Sequence, residues 1–430
     1  MGMSAFDTAI AETCANPKKL LIITSSGGGG LIQTANAKEQ EALARDPTLL
    51  VTRVDLLKDW VPFSQFFINF WNHAQQKGNI FAQMICVRFQ FLVDLFLFPS
   101  IFLYALRTLF REDVDLIIDT QPMGTSAVVW ALKIFNRKRG KSVRVEKVLV
   151  DLPTHKATHF FSPIRRLSKE NRKLVQLVSI APLLEKGETA EEFWQKTCGL
   201  SCSDIHYEEP YVRQAFLKYK GKGRSKSNLR ITVRYKLLEE LELMKKTFKR
   251  GSIGAEVHAG EVLFSIEPED RVFTILLGSQ PAKDATLAYV KKLIDFHQND
   301  LEKTHIFVFC ADHEIGVDTL YQKLSRMIAS FSTYPSNISV IPMSFQKEDV
   351  IAALFHRSDA TWTRSGGQTA MELMSVSTGR IFIHSEAKNK QDLLKGIPGW
   401  ESESAVYLQK MYGAKIVTPD TLLYCARVDS

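Results

Sequence analysis

Cysteine is sparse in this chain: six thiols (Cys14, Cys86, Cys198, Cys202, Cys310 and Cys425) are scattered over 430 residues. Cys198 and Cys202 are close, but no second metal-spaced pair accompanies them and His206 alone is weak support. The pattern therefore reads as free thiols in a reducing compartment rather than a zinc site or a disulfide framework. Low-complexity tracts and repeats of solenoid length are lacking as well. No apolar run is long enough to cross a bilayer unbroken: Arg88, Asp94 and Pro99 interrupt the greasiest stretch, Phe81 to Phe110, and its longest uncharged piece, Leu95 to Leu106, falls short of the ~20 residues required. That stretch is expected to form either a buried helix pair or an interfacial membrane-docking surface. Trp60, Phe63, Phe66, Phe67, Phe70 and Trp71 upstream add aromatic bulk in favour of the second. Met1 to Pro17 carries acids and no continuous apolar run, so no secretory leader is expected, and the anticipated location is the cytoplasm or a membrane facing it.

What is present is the balance of a folded globular protein, 45% hydrophobic and 24% charged, with length for two or three domains. The net charge of +8 is concentrated. Twelve basic residues lie between Leu217 and Arg250 against only Glu239, Glu240 and Glu242, a local +9. Such a block is either a solvated linker or a surface for an anionic partner. Nucleic acid is not expected, because no recognisable nucleic-acid module accompanies it.

The order of apolar runs implies two α/β halves. Lys19 to Ser25 is an apolar run ending in Gly27–Gly30, followed by good helix formers, which is strand, glycine turn and helix. Val51 to Leu57, Val114 to Asp119 and Val145 to Asp151 add strands, with Ser126 to Phe135 a crossover helix. The pattern restarts at Val272 to Leu277 and alternates through strands at 305–310, 338–341, 360–363, 380–384 and 415–417. The expected fold is α/β, two doubly wound Rossmann-like domains facing across a cleft: a first domain over residues 1–209, an irregular basic insertion or linker over 210–270, and a second domain over 271–430. Ligands in such sheets sit beyond the carboxyl ends of the strands.

The sharpest motif is Thr363 to Met374, TRSGGQTAMELM, which follows a strand and opens a helix. Gly366 and Gly367 let backbone approach a ligand, and free N–H groups at the start of the helix attract phosphate. Arg364 can neutralise anionic charge, Thr369 offers a hydroxyl, and Glu372 can accept bonds from ribose. The same residues would also serve as an ordinary capped glycine turn.

With its neighbours in order, this motif resembles the donor motif of the MurG and monogalactosyldiacylglycerol-synthase group of GT-B glycosyltransferases, K-A-G-P-G-T-x-x-E, with Arg364 for the Lys, Ser365 between, and Gln368 for the second Gly. ILLGSQ at Ile275 to Gln280 resembles the turn that opens the family's donor domain and carries Gly278 and Ser279. Pro398, Gly399, Glu401, Ala405, Gly413 and Ala414 match its P-G-Q-E segment, with Trp400 in place of the Gln and Ser404 of the Asn. Upstream, Gly28, Gly29 and Gly30 match a G-G-G-H turn with Leu31 where the family has His. DLIIDTQP resembles D-x-I-I-S-x-H-P with Gln121 for that His, VDLPTHKATHF resembles T-D-L-x-T-x-H, and PYVRQAF preserves Arg213.

The resemblance implies hexosyl transfer from a nucleotide-diphosphate sugar to a lipid or other acceptor, with no cofactor and no bound metal, and with helix N-termini and basic side chains holding the diphosphate. The partners implied are the donor nucleotide and an anionic membrane surface or lipid acceptor. The lost histidines leave proton transfer to other groups, and Asp151 paired with His155, with His159 as the second choice, is the expected set. Three other readings share these residues: a nucleotide-sugar-binding protein without catalysis, a nucleotide-sugar epimerase on the same plan, and a membrane-associated lipid-binding scaffold.

Overall fold

The computed structural model describes residues 17–26, 29–61, 64–76, 79–224, 227–235, 237–248, 254–258, 260–278, 281–310, 319–389 and 391–422. The N-terminal half runs β1 (Lys19–Thr24), α1 (Gly29–Arg45), β2 (Leu50–Asp55), a short helix at Leu56–Trp60, α2 (Ser64–Gln76), α3 (Ile80–Glu112), β3 (Leu116–Asp119), α4 (Thr125–Arg139), β4 (Val145–Val148), α5 (Thr158–Arg165), β5 (Val175–Ser179), α6 (Ala190–Thr197) and β6 (Ile205–Tyr207). Its six strands are all parallel, in the order β2-β1-β3-β4-β5-β6. β1 is buried along nearly its whole length, as a strand covered by helices on both faces must be.

The chain continues through β7 (Leu229–Arg234), α7 (Leu238–Phe248), β8 (Gly254–His258) and β9 (Glu261–Ile266) into β10 (Arg271–Leu276). The remaining elements are α8 (Lys283–His297), β11 (Thr304–Phe309), α9 (Leu320–Ala329), β12 (Ile338–Met343), α10 (Glu348–Arg357), β13 (Ala360–Thr363), α11 (Gly367–Val376), β14 (Arg380–His384), α12 (Gly399–Tyr412) and β15 (Lys415–Val417). The second parallel sheet is ordered β12-β11-β10-β13-β14-β15, the order of a dinucleotide-binding Rossmann sheet. Two parallel six-stranded sheets, each flanked by helices, are the expected pair of Rossmann-like domains. Strand order reverses between β1 and β3 and again between β10 and β13, so each half has a ligand crevice at the carboxyl ends of those strands.

Two expectations need correction. The segment 210–270 is not an irregular linker. β7 and β8 both pair antiparallel with β9, and inward residues of β7 and β9 alternate with outward ones, as a one-sided sheet requires. Ile231, Val233, Leu241, Met244, Val262 and Phe264 share one apolar core with Val272 and Phe307 of the second domain. Much of the basic charge is also matched locally: Lys220 pairs with Glu209, Arg224 with Asp359, Arg234 with Glu261 and Lys245 with Glu242. The side chains of Lys246, Lys249 and Arg250 lie outside the described residues.

The greasy stretch is not a buried helix pair either. It is the single 33-residue helix α3, started by Asn79, whose side chain accepts from the Ala82 N–H, and stopped at Asp113, whose φ of 51° turns the chain left-handed. Ile101, Ala105 and Leu109, spaced by four, are buried beside α4, whereas Phe81 (74% exposed), Leu95 (60%) and Phe96 (79%) face outward. Contrary to the expectation that the stretch is too interrupted to span a bilayer, Val87–Glu112 within it is, by length and composition alone, long and apolar enough to do so.

The two halves close on each other. One buried cluster joins Leu20, Ile22 and Val148 of the first sheet to Met371, Ile383 and Leu408 of the second domain, with Tyr211 and Phe216 of the connecting chain between them. Burial of a single Leu or Ile side chain is worth ~1.5–3 kcal/mol, so a cluster of this size holds the halves firmly.

Candidate active site

At the mouth between the sheets lies a cavity of about 800 Å³. Its polar end is built by both crevices. From the first domain come Gly29 and Gly30 at the start of α1, Gln121 after β3, Asp151 after β4, and His159 on α5. From the second come Gly278 after β10, then Arg364, Gly366, Gly367 and Thr369 around the start of α11, with Glu401 on α12. α1 and α11 thus both begin at this cavity, where the N–H groups of a first helical turn have no partner within their own helix.

Asp151 and His159 form a carboxylate–imidazole pair in this cavity. His159 Nε2 lies 2.9 Å from Asp151 Oδ2, with side chains 10% and 14% exposed. The His159 ring is fixed against Phe160 and, across the domain boundary, by the edge of Trp400 with centroids 5.8 Å apart. The expected pairing of Asp151 with His155 is not what forms. His155 turns away, 2.9 Å from Glu188 and against the Phe193 ring, and it does not line the cavity. The physical reason is helical geometry: α5 starts at Thr158, so the chain turns between the two histidines and only the second faces the strand end. His155, Glu185 and Glu188 hold ligand atoms within 4.8 Å of one another.

Glu401 is the most perturbed acid at the site. Burial, reinforced by the Asp151 charge, pushes its carboxyl up to about 7 despite the opposing Arg364 and His159. A carboxyl that titrates near neutrality in a cleft is suited to proton transfer.

The remaining motif residues divide into those open to a ligand and those already committed. A Cβ on Gly366 would meet nothing within 4 Å, so space lies over that turn. Arg364 lines the cavity 3.8 Å from Glu386, and Gly278, at φ +86°, lies beside the Arg364 stem. Gly367 instead docks the domains: a Cβ there would sit 2.0 Å from the Val150 carbonyl oxygen. Ser365 is buried and donates to the Glu401 carbonyl at 2.8 Å, tying the turn to α12. The Gln368 carboxamide accepts from Thr34 at 2.7 Å and donates to the Tyr211 carbonyl and to Glu372. Glu372, expected to hold a ribose, is buried and bound twice by Arg213, at 2.7 and 2.9 Å. Both Glu372 and Arg213 line the cavity, so a ribose there would meet the pair rather than a free carboxylate. Gly28 and Ser279 lie outside the described residues.

Beneath the floor, Lys147 and Asp119 form a wholly buried pair at 2.7 Å. Asp119 also accepts the Gln121 N–H at 2.8 Å, and Lys147 donates to the Gln121 carbonyl, so the backbone of that residue is clamped from both sides. From this end the cavity continues as an apolar limb between α2 and α3, lined by Leu57, Val61, Ile68, Ile85, Phe89 and Leu97. Neither the buried pair nor the limb was predicted from the sequence. Lys147, which with Glu146 puts charge into the four-residue strand β4, was the available signal for the pair.

No family model and no curated protein match this sequence. Among solved structures, the chain is similar in outline to MurG from Acinetobacter baumannii (12% identity, 95% of this chain and 90% of that one, TM-score 0.43). Others are the glycosyltransferase SnogD from Streptomyces nogalater (13%, 96% and 100%, 0.43) and UDP-GlcNAc 2-epimerase from Neisseria meningitidis (9%, 96% and 100%, 0.39). Likeness at this level does not extend to residues.

Proposed function

We propose that the protein transfers a hexosyl group from a nucleotide-diphosphate sugar to an acceptor hydroxyl, without need of a bound metal. The observation that carries this reading is the meeting, in one cavity, of the open turn at Gly366 with the Asp151–His159 pair. The donor diphosphate lies over Gly366 and the first turns of α11 and α1, where Arg364, Thr369 and the N–H groups of Gly29 and Gly30 meet its charge. His159 holds one oxygen of Asp151, and the other takes the proton of the acceptor hydroxyl as the hydroxyl oxygen bonds to the sugar carbon and the carbon–diphosphate bond breaks. The nucleotide diphosphate leaves with its charge at Arg364 and the helix N–H groups. Glu401, half-protonated near pH 7, lies beside both groups and governs the charge there.

The apolar limb favours a lipid acceptor whose chain lies between α2 and α3, with its hydroxyl at Asp151. The outward residues of α3 then meet an anionic membrane surface, since Arg88, Arg107, Arg111 and Arg165 stand exposed around them. An epimerase would use the same acids and histidine but would have no use for that limb.

A panel of nucleotide diphosphates tests the donor half by thermal shift. A true ligand at about 100 to 1,000 times its dissociation constant stabilises by about 2.7–4.1 kcal/mol. Donor turnover with and without lipid vesicles then separates the activities. Lipid-dependent consumption supports transfer, conversion of the sugar without any acceptor identifies an epimerase, and binding without turnover identifies a non-catalytic protein.

A further inference from the structure

The polar residues that interrupt α3 are not placed at random. Gln90 and Asp94 are one helical turn apart on the side of α3 that faces the protein, opposite Phe81, Leu92 and Phe96. The Gln90 Nε2 group donates to two carbonyls, those of Pro122 at 3.1 Å and His159 at 3.3 Å. Asp94 accepts from the Gly124 N–H at 3.0 Å and lies 3.6 Å from Arg166, whose guanidinium in turn stacks on Phe91, 4.6 Å from the ring centre. In its first half α3 thus turns large apolar side chains outward, while Gln90 and Asp94 clamp its inner side to the two segments that carry Gln121 and His159. An ordinary surface helix keeps such large apolar side chains inward.

We propose that Gln90, supported by Asp94, is a positioning residue that couples contact between α3 and an anionic bilayer to the placement of His159 and of the 121–124 turn. The inference rests on the membrane reading given above. A bilayer fits the outer side because its large apolar residues run along one face while exposed arginines flank them. When lipid holds α3 still, the two carbonyls held by Gln90 are held with it, so the cavity is in its working geometry at the surface where a lipid acceptor resides. Gln90 lines the cavity, and the role assigned to it is to hold the backbone of His159 and Pro122.

The test uses the full chain, phosphatidylcholine vesicles with and without phosphatidylglycerol, flotation to read docking, and amide hydrogen exchange to read the loops. Wild-type protein should float with the anionic vesicles, and exchange at residues 120–125 and 158–162 should slow on the order of tenfold. Gln90→Leu should float equally well without that slowing. Gln90→Glu, which cannot donate to the carbonyls, should behave the same way and serves if the leucine variant folds poorly. Flotation of the wild type with unchanged exchange in both segments, or slowing retained in both variants, overturns the coupling. Failure to float overturns the membrane reading and the coupling with it, whereas nucleotide binding, measured separately, reports on the donor half alone.

Discussion

Adjacent glycines in one turn should respond oppositely to the same methyl group. A Cβ on Gly367 would lie 2.0 Å from the Val150 carbonyl oxygen and 2.5 Å from the Asp151 Cα, both backbone atoms that cannot rotate aside. Relief to ordinary contact requires the two domains to separate here by more than an ångström. That movement strains the Thr34–Gln368 hydrogen bond of 2.7 Å and the bidentate Arg213–Glu372 pair of the same α11 surface. Loss of a buried ion pair costs about 3–5 kcal/mol and of a hydrogen bond about 0.5–1.5 kcal/mol. Partial retention of either brings the expected cost of Gly367→Ala to about 3–5 kcal/mol, a large share of the ~5–15 kcal/mol typical of a folded domain. Gly366→Ala meets nothing and has extended backbone at φ −62°, ψ 137°, so its stability should stay within about 0.5 kcal/mol of the parent. Its methyl group does enter the space assigned to the diphosphate, so nucleotide affinity should fall. Urea unfolding followed by tryptophan fluorescence, with calorimetry of nucleotide binding, reads both quantities. Equal stability of the two variants, or a Gly366→Ala protein that binds nucleotide unchanged, would refute the division of labour.

Further outcomes follow from the same geometry. The folded chain keeps the Glu401 proton up to about pH 7, against about 4.5 when unfolded, so stability falls as pH rises through that window and levels off above it. Glu401→Gln should remove the slope and exceed the parent by about 1–3 kcal/mol at pH 8, with no such gain near pH 4, read by denaturant titration at each pH. Lys147→Met leaves Asp119 buried and unpaired and should cost about 3–5 kcal/mol in the same titration. His155→Ala should leave donor turnover within about twofold of the parent, because its contacts are to Glu188 and Phe193 and not to the cavity; a loss of 10²-fold or more, the scale of a missing general base, would return it to the proton-transfer role.

Strand and helix placement was legible because buried parallel strands read as short apolar runs: Ala360 to Thr363, Arg380 to His384 and Lys415 to Val417 form strands with the expected limits. The glycine turn of α11 was equally plain, since strand, glycine pair and helix follow one another directly. What local pattern could not show was commitment across the domain boundary. Glu372 and Gln368 look free in the sequence, yet Arg213, 159 residues before Glu372, and Thr34, 334 before Gln368, already occupy them. The choice between His155 and His159 depended on where α5 begins, which Thr158 marks only weakly because no side chain caps that turn. The choice between a buried helix pair and an exposed docking surface for α3 was open for a related reason: Gln90 and Asp94 read as interruptions of a greasy run, whereas they lie on its inward side.

The central claim is that donor sugar and proton acceptor meet in one cavity, and single-turnover transfer measured beside nucleotide binding tests it most directly. Asp151→Asn and His159→Ala should bind the donor nucleotide with the parent's affinity yet consume the nucleotide sugar about 10²–10⁴-fold more slowly. Parental rates in both variants, or a parent protein that binds none of the nucleotide diphosphates at millimolar concentration, would contradict the account.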